Sequence, residues 1–412
     1  MIGIAILINI YICIFSFYLR RDLLSPLFCY SFIWAVTLFL ILLLPSDFYE
    51  MDFISDLAFS LGSIGFLFGY ILSEILNYYF PKREIKKNNL LIRYKILLSI
   101  FLILLIGWFE YFREVYLLTS QTVIFNFFRE ARYALVQASF NGEKLIGPIG
   151  NFEVISIYFA MLLAIEKDNI RQGNLLFFLS LLLSISYVIL GGSKMGLVRL
   201  TLALFFIYSF NKRNVVIFKR GILSFLLVLS VFSTGLIFVN FTYQDFKGFE
   251  LISELFIAIR NYWLGGPIAF NQILLNPEYF ENTHSTSRFF LETANSLGSK
   301  FYVPNIHAQY VDISKVETTN VYTIYYSYFL DAGFLGIFFF SLIYGFVLGF
   351  CYLKAKIGDR RYLLMYSFLL TGLFFTIVSE GLFLSLNGII KAFIFWWGLY
   401  LFNLLISKKH LR

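Results

Sequence analysis

Four arginines stand where chemistry on an anion could be done. Arg129 and Arg132 lie in the segment 113–147, and Arg260 and Arg288 lie in 241–325. A guanidinium is planar, permanently charged and presents a fork of donors that matches two phosphate oxygens. A fifth cation, Lys194, closes the run Gly191-Gly192-Ser193-Lys194, and Arg199 follows it within an apolar stretch. A cation at membrane depth is costly and marks a ligand or an ion pair. For proton transfer the sequence offers His307 and Asp331, with His284 as a further loop histidine. Each of these residues also has a purely structural reading. The arginines can snorkel or pair with Glu130 or Glu254, and Lys194 and Arg199 can pair with Glu110 or Glu153. Loop histidines are ordinary surface residues. A carboxylate such as Asp331 before a helix is stabilised by the helix dipole. Gly333 and Gly336 just after it suit close helix packing. There is no HExxH, no Walker A loop, no GxGxxG and no GxSxG, so neither a metal nor a nucleotide cofactor is expected.

The elements that must position these groups are membrane helices. Of 412 residues, 59% are hydrophobic and only 14% charged, with a mean hydropathy of +0.77; soluble domains carry roughly 25% charged residues. A span needs about 20 apolar residues. Eleven such runs occur, near 2–19, 27–44, 57–80, 96–112, 148–165, 175–190, 195–210, 221–240, 326–350, 362–380 and 389–406. They lack the alternation of barrel strands, so the expected fold is all-α and polytopic.

Charge sets the orientation. Arg20 and Arg21 follow the first apolar run instead of preceding it, which excludes a cleavable signal peptide and puts Met1 outside. Alternation then places 81–95, 166–174, 211–220, 354–361 and 407–412 in the cytoplasm. With the residues after the first span, these segments hold 21 Lys and Arg against 5 Asp and Glu, a net of +16; the remainder nets −8. The basic pI of about 9.1 therefore reflects cytoplasmic anchoring, and no nucleic-acid partner is expected. Cys13, Cys29 and Cys351 lie in apolar runs and imply no disulfide framework.

The chain is expected to form a single membrane domain over 1–412, with a medium external loop at 113–147 and a large one at 241–325. An 85-residue loop is far longer than a connector needs to be. Helical periodicity recurs at 122–140 and at 249–263, where Ile252, Leu255, Phe256, Ile259 and Trp263 share one face. Both stretches are expected to lie at the membrane surface and to hold their arginines at headgroup depth.

In this order along the chain, three local patterns resemble the bacterial O-antigen (Wzy-type) polymerases of oligosaccharide repeat units. They are Gly192-Ser193-Lys194-Met195-Gly196, Arg260-Asn261-Tyr262 through Gly265-Gly266, and Thr318-Thr319-Asn320-Val321-Tyr322 running into Asp331-Ala332-Gly333. Lys194 stands where the family usually has arginine. Thr319 stands where the related O-antigen ligases usually have histidine. Arg132–Gly142 and Arg288–Gly298 are each spaced ten apart, where some members show eleven. The resemblance implies a GT-C-like membrane glycosyltransferase of O-antigen or capsule biosynthesis. Its site would face outward from the bacterial cytoplasmic membrane. It would take undecaprenyl-diphosphate-linked oligosaccharide and work among membrane lipids, with a chain-length-regulating membrane protein as a further partner. Arg129, Arg132, Lys194, Arg260 and Arg288 would bind the diphosphate, and His307 or Asp331 would move the proton. The rival readings are a ligase or another lipid-dependent glycosyltransferase, a flippase or secondary transporter, and a non-catalytic scaffold.

Overall fold

A computed structural model describes residues 2–44, 48–79, 92–119, 127, 130–135, 145–170, 172–240, 249–280, 284–303 and 310–409. It is an all-α protein in which, among the described residues, eight helices are long and apolar enough to cross a membrane. Two compact units share the chain, and each is formed from separated segments.

The first unit comprises 1–83, 247–357 and 368–389. It holds α1 (Gly3–Arg20), α2 (Pro26–Leu43), α3 (Phe53–Tyr79), α9 (Phe249–Leu275), α10 (Arg288–Ser296) and α11 (Ile324–Lys356). A short antiparallel hairpin, β1 (Val311–Asp312) with β2 (Thr318–Thr319), lies between α10 and α11. Small residues set the axis of this unit. A methyl group at Gly69 would collide with the Leu342 carbonyl, and one at Gly345 with the Phe66 carbonyl, so α3 and α11 meet backbone to backbone. Trp34, Phe59, Phe66 and Tyr325 pack around that seam.

Each end of the first unit is tied by polar groups. At one end the Asp56 carboxylate accepts the backbone N–H groups of Ile4 (3.1 Å) and Ala5 (2.7 Å). There too the buried Asn271 accepts from Asp52 N–H (2.8 Å) and the Ser55 hydroxyl (2.6 Å), and donates to the Glu50 carbonyl (3.2 Å). At the other end Arg20 pairs with Glu74, and Asp22 accepts from the Tyr352 hydroxyl and pairs with Lys356.

The second unit comprises 84–246, 358–367 and 390–412. It holds α4 (Tyr94–Leu117), α5 (Asn151–Glu166), α6 (Gly173–Leu190), α7 (Lys194–Ser209) and α8 (Asn214–Asn240). It also takes the first residues of α12 (Arg360–Phe374) and most of α13 (Leu386–Lys409). Serine and tyrosine hydroxyls stitch it together: Ser184 donates to the Ser156 carbonyl and Tyr187 to the Leu104 carbonyl. Glu166, wholly buried, accepts from Arg360 and from the Tyr400 hydroxyl at 2.8 Å. A carboxylate removed from water needs such partners to stay charged.

Eight of the eleven expected spans fall on the long apolar helices. The run at 195–210 forms a helix of only 16 residues, and 221–240 lies in the 27-residue α8. The expectation at 362–380 is corrected: α12 stops at Phe374, and an irregular stretch follows. There the Thr376 carbonyl accepts Ile324 N–H at 2.8 Å, and the buried Glu380 carboxylate accepts the N–H groups of Leu382 and Leu384. These protein groups satisfy the non-helical backbone of an otherwise apolar stretch.

Two further expectations change. The helix expected over 249–263 runs on to Leu275. Leu264, Ile268, Phe270 and Ile273 on its second half are buried in the first unit, and Trp263 donates to Thr37 at 3.1 Å. The expected span at 326–350 is broken at Ala332 and Gly333, where φ of Gly333 is +63°. Gly336 serves this break and not contact with another helix, since a methyl there would collide with the Tyr328 carbonyl of the preceding segment. Of the stretch 122–140, residues 127 and 130–135 are described and are helical.

Candidate functional site

The expected site residues divide between the two units, and two of them, Arg129 and His307, lie outside the described residues. In the second unit Arg132 sits on the helical stretch 130–135, anchored by the fully buried Ala131. The tight turn between α6 and α7 passes against the aliphatic stem of Arg132. A methyl group at Gly192 would lie 3.0 Å from its Cβ and Cγ, and the φ of +64° at Gly192 suits glycine. One residue earlier, a methyl at Gly191 would lie 2.6 Å from Glu153 Oε2 and 2.6 Å from the Tyr111 hydroxyl oxygen. Two consecutive glycines thus let a guanidinium stem and a carboxylate both close on the same turn.

Glu153 stands in the first turn of α5, where the helix dipole favours a negative charge. The Tyr111 hydroxyl donates to its Oε2 at 3.3 Å. The Ser193 hydroxyl and Arg199 on α7 lie within electrostatic reach of this carboxylate. Ser193 caps α7 at the same time by accepting Gly196 N–H at 3.1 Å. Lys194 is the first residue of α7. Of the two partners expected for the cations here, Glu110 instead pairs with Arg113 one turn along α4. Burial pushes the Arg132 guanidinium below the ordinary arginine value, and arginine stays charged under such pressure. Among the described residues no carboxylate pairs with it. A half-buried guanidinium in such a setting can receive an anion.

In the first unit Arg260 on α9 has a different setting. Its Nη2 donates to both Glu317 oxygens, at 2.7 and 2.9 Å, and to Asn261 Oδ1 at 3.0 Å. Its guanidinium carbon lies 5.0 Å from the centre of the Phe48 ring. Glu317 reaches it because the β1–β2 hairpin turns tightly, with the Ser314 hydroxyl accepting Glu317 N–H at 3.1 Å. Phe48, Tyr49, Arg260, Lys315 and Glu317 line an open cavity of about 470 Å³.

Arg288 opens α10 and pairs with Glu292 at 2.9 Å. Asp331 immediately precedes the break in α11. Its Oδ2 accepts the N–H (2.7 Å) and hydroxyl (2.6 Å) of Thr286, while its Oδ1 is buried without a hydrogen bond among the described residues. His284, at a left-handed φ of 48°, starts the turn that presents Thr286.

Glu153 entered the sequence reading only as a structural counter-ion; an acidic residue opening an apolar run was its one signal. Tyr111 had none in so aromatic a chain, and Glu317 is 57 residues from Arg260. Among the described residues no group of three His, Cys, Asp or Glu side chains could hold a metal ion. No family model, no curated protein and no solved structure matches this chain.

Proposed function

We propose that the chain is a polymerase of lipid-linked oligosaccharide repeat units in the bacterial cytoplasmic membrane. The reading rests on one observation above all. An arginine that pairs with no carboxylate among the described residues packs its stem on a diglycine turn on which a carboxylate and a tyrosine also close. Transfer of a glycan from a lipid diphosphate requires stabilisation of the leaving diphosphate, and preorganised cations supply that without a metal. Arg132 and Lys194 are the diphosphate-binding groups in this reading. The +16 against −8 charge division favours an arrangement with Met1 outside and Arg412 inside, so the turn at 191–193 faces outward. The resemblance to the Wzy-type polymerases supports the same reaction, with undecaprenyl diphosphate as the carrier.

Arg260 takes a different role from the one its sequence suggests. Neutralised by Glu317 and laid on Phe48, it suits the hydroxyls of a glycan better than a diphosphate. Guanidinium and carboxylate together offer a hydroxyl both a donor and an acceptor, and the ring offers an apolar platform.

The deciding experiment is complementation of cells that lack the native gene. Wild type should restore long glycans, and Arg132→Ala at matched protein level should leave mostly single repeat units. Full-length glycan with Arg132→Ala removes this site.

A further inference from the structure

Glu153 is a carboxylate that diphosphate binding does not require. It is half-buried in the first turn of an apolar helix, where an isolated charge is expensive. A structural counter-ion for Arg199 would need only proximity. Glu153 is instead held by the Tyr111 hydroxyl on α4 and closes on Gly191 of the turn, with Ser193 nearby. Ser193 is in turn fixed by Gly196 N–H. Tyr111 is itself held, with its ring 5.3 Å from that of Tyr187 on α6. Groups restrained at this level of detail hold a lone pair in a fixed direction, which is what a proton acceptor in a transfer reaction needs.

We infer that Glu153 is the general base of the proposed glycan transfer, placed by Tyr111 against Gly191, next to the Gly192 on which the stem of the cation that receives the leaving group packs. The inference rests on the polymerase reading. An acceptor sugar hydroxyl gives its proton to a Glu153 oxygen as its own oxygen bonds to the anomeric carbon of the donor. The bond from that carbon to the diphosphate oxygen breaks, and its electron pair leaves with the diphosphate, whose charge Arg132 balances. Atoms and charge are conserved without a co-reactant. The absence of a side chain at Gly191 is part of the device, because any Cβ there would press on both Glu153 and Tyr111.

The groups facing Glu153 are Tyr111 from α4, Ser193 from the turn and Arg199 from α7, with Tyr187 of α6 behind Tyr111. Tyr111→Phe removes one hydrogen bond and keeps the ring, so it marks positioning; Glu153→Gln and Glu153→Ala remove the base. The assay uses membrane vesicles from cells lacking the native gene, supplied with lipid-linked repeat units extracted from those same cells. Glu153→Gln should lower the transfer rate by about 100-fold or more, the lower range for a positioned base. It should also flatten the acidic limb of the pH–rate profile. Tyr111→Phe should lower the rate less than tenfold and keep that limb. Added formate should restore part of the rate to Glu153→Ala and nothing to Arg132→Ala. A Glu153→Gln variant that runs at the wild-type rate overturns the inference. So does a loss in Glu153→Ala that formate does not relieve and that accompanies a lowered melting temperature, which marks a structural carboxylate. If Arg132→Ala is inactive while Glu153→Gln is active, the base assignment falls alone. If both variants are fully active, the polymerase site falls with it.

Discussion

Arg132 and Arg260 carry the same charge and have opposite surroundings. Arg260 is closed: both oxygens of Glu317 and the amide of Asn261 take its donors, and Phe48 takes its face. Among the described residues Arg132 is held through its stem, by a glycine turn, beside a buried alanine. A satisfied guanidinium adds specificity and stiffness to the hairpin around it. In the proposed function, a guanidinium gripped by its carbons, with no carboxylate paired to it among the described residues, keeps its electrostatic energy for a ligand. Under the proposed function, the difference separates a cation that builds a surface from one that serves a substrate, although the sequence presents the two as equals.

The strongest way to break this comparison is at Arg132. Hydrogen bonds to charged groups contribute about 1.5–3 kcal/mol, so Arg132→Ala should lower the vesicle transfer rate by roughly 10- to 150-fold. Arg132→Lys should recover part of this, since the charge survives and the fork does not. Arg260→Ala should cost less than tenfold in the same assay. Equal losses at the two positions would erase the distinction.

Gly192→Ala sharpens the same point from the backbone side. The new methyl would meet the Arg132 stem at 3.0 Å in a left-handed conformation. The conformation alone costs roughly 1–2 kcal/mol. Thermal unfolding in micelles should register that loss, and the transfer rate should drop with it because Arg132 is displaced. A stability loss with unchanged rate would detach the turn from function.

Glu317→Ala tests the closed cation. It leaves Arg260 only 15% exposed in its side chain and without its main partner. With some solvent screening allowed, the cost is about 1–2 kcal/mol of stability. The double variant Glu317→Ala/Arg260→Ala should be less destabilised than the sum of the single ones, because it removes the orphaned charge. Strict additivity would show that the pair contributes nothing.

How much of this was legible in the sequence depends on the range of the signal. Long apolar runs mark spans by themselves, and α1 to α6 lie close to where hydropathy put them. Their failures are tertiary. The run at 362–380 is apolar enough for a span, yet it leaves the helix at Phe374 because Ile324 N–H, Glu380 and the following amides offer its backbone other partners. The second half of α9 reads like its first half in period, and only packing against the first unit separates them. At the site, Arg132 and the diglycine turn were visible as residue types. Their contact was not, since 60 residues separate them and glycine announces closeness only once the neighbour is known. Glu153 was visible as a counter-ion for Lys194 or Arg199, but its hydroxyl partner Tyr111 comes from α4, 42 residues away.

The smallest expected effect belongs to Arg113, and it is the control that gives the others meaning. Arg113 lies near the end of α4 in the same unit as Arg132 and pairs with Glu110 one turn away. Its side chain is 66% exposed and that of Glu110 41% exposed, so water screens the pair and competes for it. Exposed pairs of this kind contribute about 0.2–0.5 kcal/mol. Arg113→Ala removes the same unit of charge from the same unit of the protein as Arg132→Ala. If the fall in rate at Arg132 came from a general loss of positive potential, Arg113→Ala would reproduce a good part of it, and more so at low ionic strength, where screening is weak. If it comes from donors aimed at one anion, Arg113→Ala should stay within twofold of wild type at every salt concentration. A salt-dependent fall of tenfold at Arg113 would make the Arg132 effect one of net charge and remove the geometric argument for the diglycine turn.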